Sequence, residues 1–281
     1  MPLPENFDLA QFVDRVLEED LGTGGDVTSR ATIDADARFT AEMNSRQAIV
    51  VAGLEIAAAF FRKLDPQVQI EQIVKDGDKA EHGTTLMRLV GNARAMLAAE
   101  RAALNTLQHL SGIATLTRRY VDAIAGTGAI LIDTRKTIPG LRVGEKYATR
   151  MGGAQNHRMR LDDGVLIKDN HVAVCGGVAE AVRRAKAANT GLEVQVEVDR
   201  IDQIEPALAA GADRLLLDNM DPATLREAVA LVSGRVPLEA SGGVTLETIR
   251  FLAETGVNYI SVGRITQSAP AVDIGLDYAL A

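Results

Sequence analysis

LEVQVEV (192–198), DRLLLDNM (213–220), VPLEASGG (236–243) and NYISVG (258–263) are four short apolar runs that close on polar or glycine residues. They recur about every twenty residues, the period of successive βα units. Helical patterns at 176–189, 200–210, 222–232 and 245–255 accompany them. Strands alternating with helices at this spacing predict a parallel barrel. Two upstream runs, AILIDTRK (129–136) and GVLIKDNH (164–171), have the same form. Barrels of this kind carry their active sites at the C-terminal strand ends, where these polar residues fall.

Alternation within LEVQVEV sharpens the reading. Glu193, Gln195 and Glu197 share one face, and Val194, Val196 and Val198 the other. The valines are expected to meet helices. The polar face then lines the interior, with Glu197 nearest the mouth.

The first 111 residues have a different texture. An amphipathic helix is expected over 7–21, strands over 37–51, 67–74 and 84–90, and a helix near 54–64. A long helical stretch begins at Asn92, and Gly112 is expected to kink or interrupt it. GTGGD (22–26) follows no apolar strand and reads as a turn.

Composition narrows the classes. The chain has 281 residues and a formal net charge of -8, with 4% aromatics and no Trp. That balance argues against a base-stacking nucleic-acid surface. Cys175 is the single cysteine, which excludes an intrachain disulfide and multi-cysteine zinc sites and points to a reducing cytoplasm. No apolar run approaches the length of a membrane span, and the N-terminal residues do not read as a secretory signal.

Against this acidic background, residues 135–171 carry eight Lys and Arg and four acids, a net +4, leaving -12 elsewhere. Clustered guanidinium and ammonium groups suit ligands with several carboxylates or phosphates. A solvated loop is the ordinary alternative, but Arg135, Lys136 and Lys168 each follow an apolar strand. Lys168, Glu197, Asp218, and Glu239 with Ser241 form a ring of strand-end polar groups. Alone, Asp218 reads equally well as a turn or cap residue. Two carboxylates among cations suit ribose hydroxyls or a hard divalent cation. SGGV (241–244) and SVGR (261–264) end the last two strands, where barrel loops offer backbone N–H groups to phosphate. The ligand implied is small, anionic, phosphorylated and hydroxylated.

Longer stretches carry a resemblance over nearly the whole chain. EEDLGTGGDVTS (18–29), AEMNSRQAIVVAGLE (41–55), ERAALNTLQHLSGIATLT (100–117), DTRKTIPGLRVGEKYA (133–148), GGAQNHRMRLDDGVLIKDNH (152–171), LLLDNM (215–220), LEASGGV (238–244) and ISVGRITQSA (260–269) resemble the decarboxylating quinolinate phosphoribosyltransferase family. The resemblance implies an α/β fold: an N-terminal α/β sandwich over 1–111 and an open α/β barrel with fewer than eight parallel strands over 112–270. A tail over 271–281 returns to the N-terminal domain. It implies a cytoplasmic pentosyltransferase of NAD biosynthesis that joins quinolinate to phosphoribosyl pyrophosphate and works with Mg2+. It also implies a homodimer in which Arg101 reaches the neighbouring site.

By the same resemblance, Arg135, His157, Arg158 and Lys168 hold the quinolinate carboxylates and nearby phosphate, and Thr134 and Lys136 complete the pocket. Lys136, Lys168, Glu197 and Asp218 are the expected catalytic set. Glu197 and Asp218 bind the ribose hydroxyls and Mg2+. Ser241, Gly242, Gly243, Val262, Gly263 and Arg264 hold the 5-phosphate, with Gln267 beside them. Three positions depart from the family's usual residues: Gln267 stands for a histidine, Arg160 for a small or neutral residue, and Ala154 for a glycine. The alternatives are a paralogue with another acceptor, a Schiff-base aldolase using Lys168, and a ligand-binding protein without turnover.

Overall fold

The structure, a computed structural model, describes Leu3, Pro4 and residues 6–278. The chain opens with α1 (Leu9–Leu21), capped by Asp8, whose carboxylate accepts the Gln11 N–H at 2.9 Å. α2 (Val27–Thr32) follows the glycine-rich turn and is capped likewise by Asp26 through the Ser29 N–H. Then come β1 (Arg38–Ser45), β2 (Ile49–Val50), α3 (Leu54–Leu64), β3 (Gln69–Gln72), β4 (Lys79–Ala80), β5 (Thr85–Asn92) and α4 (Ala93–Ala123). The next elements are β6 (Ile130–Ile132), α5 (Arg142–Gly152), β7 (Val165–Ile167), α6 (Asp169–Cys175), α7 (Val178–Ala187) and β8 (Val194–Val198). The chain continues with α8 (Ile204–Ala209), β9 (Arg214–Asp218), α9 (Pro222–Val232), β10 (Leu238–Ser241), α10 (Ile249–Ala253), β11 (Tyr259–Ser261), α11 (Arg264–Gln267) and β12 (Ile274–Tyr278).

These elements form two compact units. The first takes the residues up to Arg118, then Gly140–Gly153, then those from Ser268 on; the second takes Arg119–Pro139 and Ala154–Gln267. In the first unit an antiparallel sheet runs β12-β1-β5-β3, with Phe60, Phe61, Met43, Met87 and Leu107 buried in one core. Burying each such side chain stabilises the fold by roughly 1.5–3 kcal/mol. β12 pairs with β1 from Ala41↔Tyr278 to Ser45↔Ile274. Residues 279–281 of the expected tail lie outside the described residues.

Two expectations need correction here. Gly112 does not interrupt α4, which is continuous through it. Its missing side chain serves a contact instead: a Cβ there would lie 2.2 Å from the Pro270 carbonyl oxygen. The cationic stretch also contains a helix that was not expected. α5 places Tyr147, Ala148 and Met151 in the first unit's core, and Lys146 within it is fully buried. The many charges of that stretch hid its apolar periodicity.

The second unit is a parallel sheet in the order β6-β11-β10-β9-β8-β7, flanked in sequence by helices. A parallel bridge between Ile132 and Gln155 extends the β6 edge. The six strands are those expected from the recurring runs. Register decides what faces inward. Leu166 pairs with Gln195, Gln195 with Arg214, Glu197 with Leu216, Glu239 with Leu216 and Tyr259, and Ser241 with Asp218. Paired residues of neighbouring strands point to the same side. The intervening Val194, Val196, Val198, Leu215, Leu217, Leu238, Ala240 and Ile260 are buried on the other side. Glu193 departs from the expected interior face. It precedes β8, is exposed, and lines a small cleft with Lys186 and Asp213.

Candidate active site

The strand ends of the second unit surround a cleft of about 760 Å³. Its wall begins where β6 ends. Asp133 is fully buried, and its carboxylate accepts the Asn156 side-chain amide at 2.5 Å and the His157 backbone N–H at 2.9 Å. This ties the 155–158 segment to the end of β6. Thr134, Arg135 and Lys136 follow and line the cleft with His157 and Arg158. The Lys136 N–H donates to Thr134 Oγ1 at 3.0 Å, and buried Thr266 donates its hydroxyl to the Lys136 carbonyl at 2.7 Å. The loop after β6 is thereby clamped to the loop after β11.

Two guanidiniums share this wall. Burial pushes Arg158 below its ordinary pKa, and the neighbouring Arg135 adds to the effect. Arg158 Nη1 donates to the Gly164 carbonyl at 2.8 Å. Arg135 Nε is buried without a hydrogen-bond partner. A buried donor of this kind costs free energy until an acceptor arrives. The wall is built to receive an anion.

Two carboxylates and a lysine line the cleft as well. Lys168 Nζ lies 3.5 Å from Glu197 Oε2. Burial raises the Glu197 carboxyl above its ordinary range, Lys168 opposes, and Asp218 adds to the rise. Burial raises Asp218 too, against the Asn219 amide and the cations Lys168 and Lys136. Asn219 Nδ2 donates to Asp218 Oδ2 at 2.6 Å.

Glycine completes the lining. Gly242 has φ +97°, and a Cβ on it would stand 2.1 Å from Asn219 Oδ1. The turn therefore requires glycine for both conformation and space. At Gly263 a Cβ would meet Lys136 Cδ at 2.7 Å, so a larger residue there would displace the Lys136 side chain. Ser241, Gly243, Val262, Arg264 and Gln267 line the cleft too.

The cleft thus gathers every residue expected in it, and Arg101, expected to serve a neighbouring site, is exposed on α4 in the first unit. Arg160 faces solvent, paired with Asp162 at 2.9 Å. Sequence reasoning missed Asp169 and Asn219 as lining residues. Each directly follows a residue already singled out, and that adjacency was the available signal. It also placed Glu239 in the strand-end ring. Glu239 is 1% exposed and belongs to the floor, where burial raises its carboxyl but His157, Arg214 and Gln195 together outweigh that and hold it below the ordinary range.

Two family models match the chain. The one described as quinolinate phosphoribosyl transferase, N-terminal domain, matches residues 26–111, and the C-terminal domain model matches residues 113–277. The nicotinate-nucleotide pyrophosphorylase (carboxylating) of Mycobacterium leprae is 43% identical over 277 residues, covering 96% of this chain and 98% of that one. The probable nicotinate-nucleotide pyrophosphorylase (carboxylating) of Bacillus subtilis is 42% identical over 273 residues, covering 97% and 94%. The crystal structure of nicotinate-nucleotide pyrophosphorylase from Ehrlichia chaffeensis superposes with a TM-score of 0.94 at 39% identity, covering 98% of this chain and all of that one. With two matched domains in order and relatives at this identity over nearly its full length, the chain belongs to the quinolinate phosphoribosyltransferase family.

Proposed function

We propose that the protein transfers the phosphoribosyl group of phosphoribosyl pyrophosphate to the ring nitrogen of quinolinate and releases pyrophosphate and CO2, giving nicotinate mononucleotide. The observation that carries this reading is the charge layout of one cleft, which is lined by the half-buried pair Arg135 and Arg158 and by the carboxylates Glu197 and Asp218. A dicarboxylate suits the first pair, and a sugar that develops positive charge suits the second.

Arg135 and Arg158 hold the quinolinate carboxylates, with His157 beside them and Thr134 closing the pocket. Glu197 and Asp218 accept the ribose hydroxyls. The Ser241–Gly243 and Val262–Arg264 turns offer backbone N–H groups to the 5-phosphate, with Gln267 donating at their edge. Lys136 and Lys168 stabilise the pyrophosphate as it leaves. The ring nitrogen's lone pair forms the bond to the ribose carbon, and the bond to pyrophosphate breaks with its electrons leaving on oxygen. The carbon–carbon bond to the adjacent carboxylate then breaks, its electron pair remains beside the positive nitrogen, and a proton from water takes its place. Orientation and partial desolvation of that carboxylate are the protein's contribution, and no covalent nucleophile is required.

Among the described residues, no three His, Cys, Asp or Glu side chains converge as a metal cage. Two adjacent carboxylates fit Mg2+ that arrives with its substrate, since Mg2+ binds through one or two carboxylates plus phosphates. Glu197 and Asp218 would hold it, and when bound it neutralises charge on the leaving pyrophosphate. A homodimer in which Arg101 serves the neighbouring cleft is the assembly we propose, on the resemblance and on the exposure of Arg101. A cytoplasmic location rests on the single cysteine.

The deciding assay supplies quinolinate, phosphoribosyl pyrophosphate and Mg2+. Nicotinate mononucleotide and CO2 should form, and nicotinate should not replace quinolinate. Equal turnover of nicotinate, or none of quinolinate, would overturn the reading.

A further inference from the structure

The floor beneath the cleft is polar, where barrel interiors are ordinarily filled by branched apolar side chains. Gln195 on β8 and Arg214 on β9 are register partners, as are Glu239 on β10 and Tyr259 on β11. Their side chains meet at one atom. Glu239 Oε2 accepts Gln195 Nε2 at 2.7 Å and Arg214 Nη2 at 2.8 Å. The Arg214 guanidinium also lies 4.0 Å over the Tyr259 ring. Gln195 is 4% exposed, so this amide has little access to water.

The network fixes what lies above it. Gln195 spends its NH2 on Glu239, so its Oε1 faces His157 Nε2 at 3.1 Å. Glu239 Oε2 is 3.5 Å from the same ring nitrogen. At the other ring nitrogen, Nδ1 accepts the Arg158 backbone N–H at 2.7 Å. A nitrogen that accepts a hydrogen bond carries no proton, so the ring proton sits on Nε2. Acceptors below and a donor above permit only one neutral tautomer and one ring orientation.

We propose that Gln195, Glu239 and Arg214 are positioning residues for quinolinate binding, which lock His157 as the neutral Nε2–H tautomer and thereby set the backbone from which Arg158 reaches the cleft. The inference rests on the reaction proposed above for its kinetic consequence, and on geometry alone for the tautomer. Neutral His157 adds no charge to the anion site, which leaves Arg135 and Arg158 to supply it. Gln195 takes the His157 Nε2 proton as a hydrogen bond, with Glu239 Oε2 3.5 Å from the same nitrogen.

Charged groups bear on the ring from several sides. Asp133 at the end of β6 holds the His157 backbone N–H, Arg158 adjoins it in the chain, Glu239 faces it from β10, and Arg214 on β9 balances Glu239. Two near-isosteric substitutions test the lock: Glu239→Gln removes the charge that holds the Gln195 amide and Arg214, and Gln195→Met removes the acceptor that faces Nε2.

The test uses the full chain with 15N-labelled histidine. Only four histidines are present, and His157→Asn identifies the relevant resonance. The wild type should show unprotonated Nδ1 and protonated Nε2 at neutral pH, and both variants should lose that single-tautomer signature. Both variants should raise KM for quinolinate about tenfold and change KM for phosphoribosyl pyrophosphate less than about twofold. An Nδ1–H tautomer or an imidazolium in the wild type, or an unchanged tautomer signature in both variants, would overturn the lock. Unchanged quinolinate KM in folded variants would overturn the positioning role. The spectra are recorded without substrate, so they are read independently of whether the wild type turns over quinolinate.

Discussion

Arg135 stands close enough to Arg158 to disfavour the charge of Arg158, and Arg135 holds a buried Nε without a hydrogen-bond partner. Such a pair is relieved by a dianion. Truncating either to Ala should lower kcat/KM for quinolinate roughly 100-fold through lost charged hydrogen bonds, with far-ultraviolet circular dichroism unchanged. A second prediction concerns acid. Burial raises Glu197 and Asp218, and Lys168 draws both down. Their ionised forms are the working ones, so kcat/KM should fall as pH drops through this raised range. Lys168→Met removes the opposing cation and should move that acid limb to higher pH, as a pH–rate profile would read. Residues at this scale were legible where they close an apolar run, as Lys168 and Asp218 do. Arg214 was not. It opens the run RLLLD, and a charge at that position reads as a strand boundary, whereas its contact with Glu239 depends on cross-strand register that local pattern does not carry.

Among elements, β6 to β11 could be read from short runs that keep one apolar face and recur with helical patterns between the later ones. The two-residue strands β2 and β4 have too few residues to express a period. α5 was obscured because its buried positions include Glu145 and Lys146, which count as polar in any pattern. Glycines were legible as turn residues but not as contacts. Gly112→Ala drives a Cβ onto the Pro270 carbonyl and should cost about 1–3 kcal/mol, seen as a lower Tm. Gly242→Ala meets both a left-handed backbone and the Asn219 side chain. It should weaken phosphoribosyl pyrophosphate binding more than quinolinate binding, as separate titrations would show.

For the whole molecule, the division into a sheet unit and a barrel unit followed from the change of texture along the sequence. Its boundaries did not, because the units exchange segments: 140–153 and the residues from 268 on join the first. Assembly is open to a mixing experiment. If Arg101 serves a neighbouring cleft, inactive Arg101→Ala and Arg158→Ala subunits, mixed and reassociated, should regain about a quarter of wild-type activity through hybrids with one intact site. No recovery in mixed dimers would place Arg101 outside the reaction.

The pairing of β12 with β1 bears on how the chain matures on the ribosome. The first sheet lacks one strand until residue 278 has been synthesised, although its other three strands are complete by residue 92. Once α5 has been made, β1 therefore presents an unpaired edge beside a core that lacks only its C-terminal segment, and such edges invite association between nascent chains. The barrel has all its strands by residue 261, so the segment made first is the one finished last.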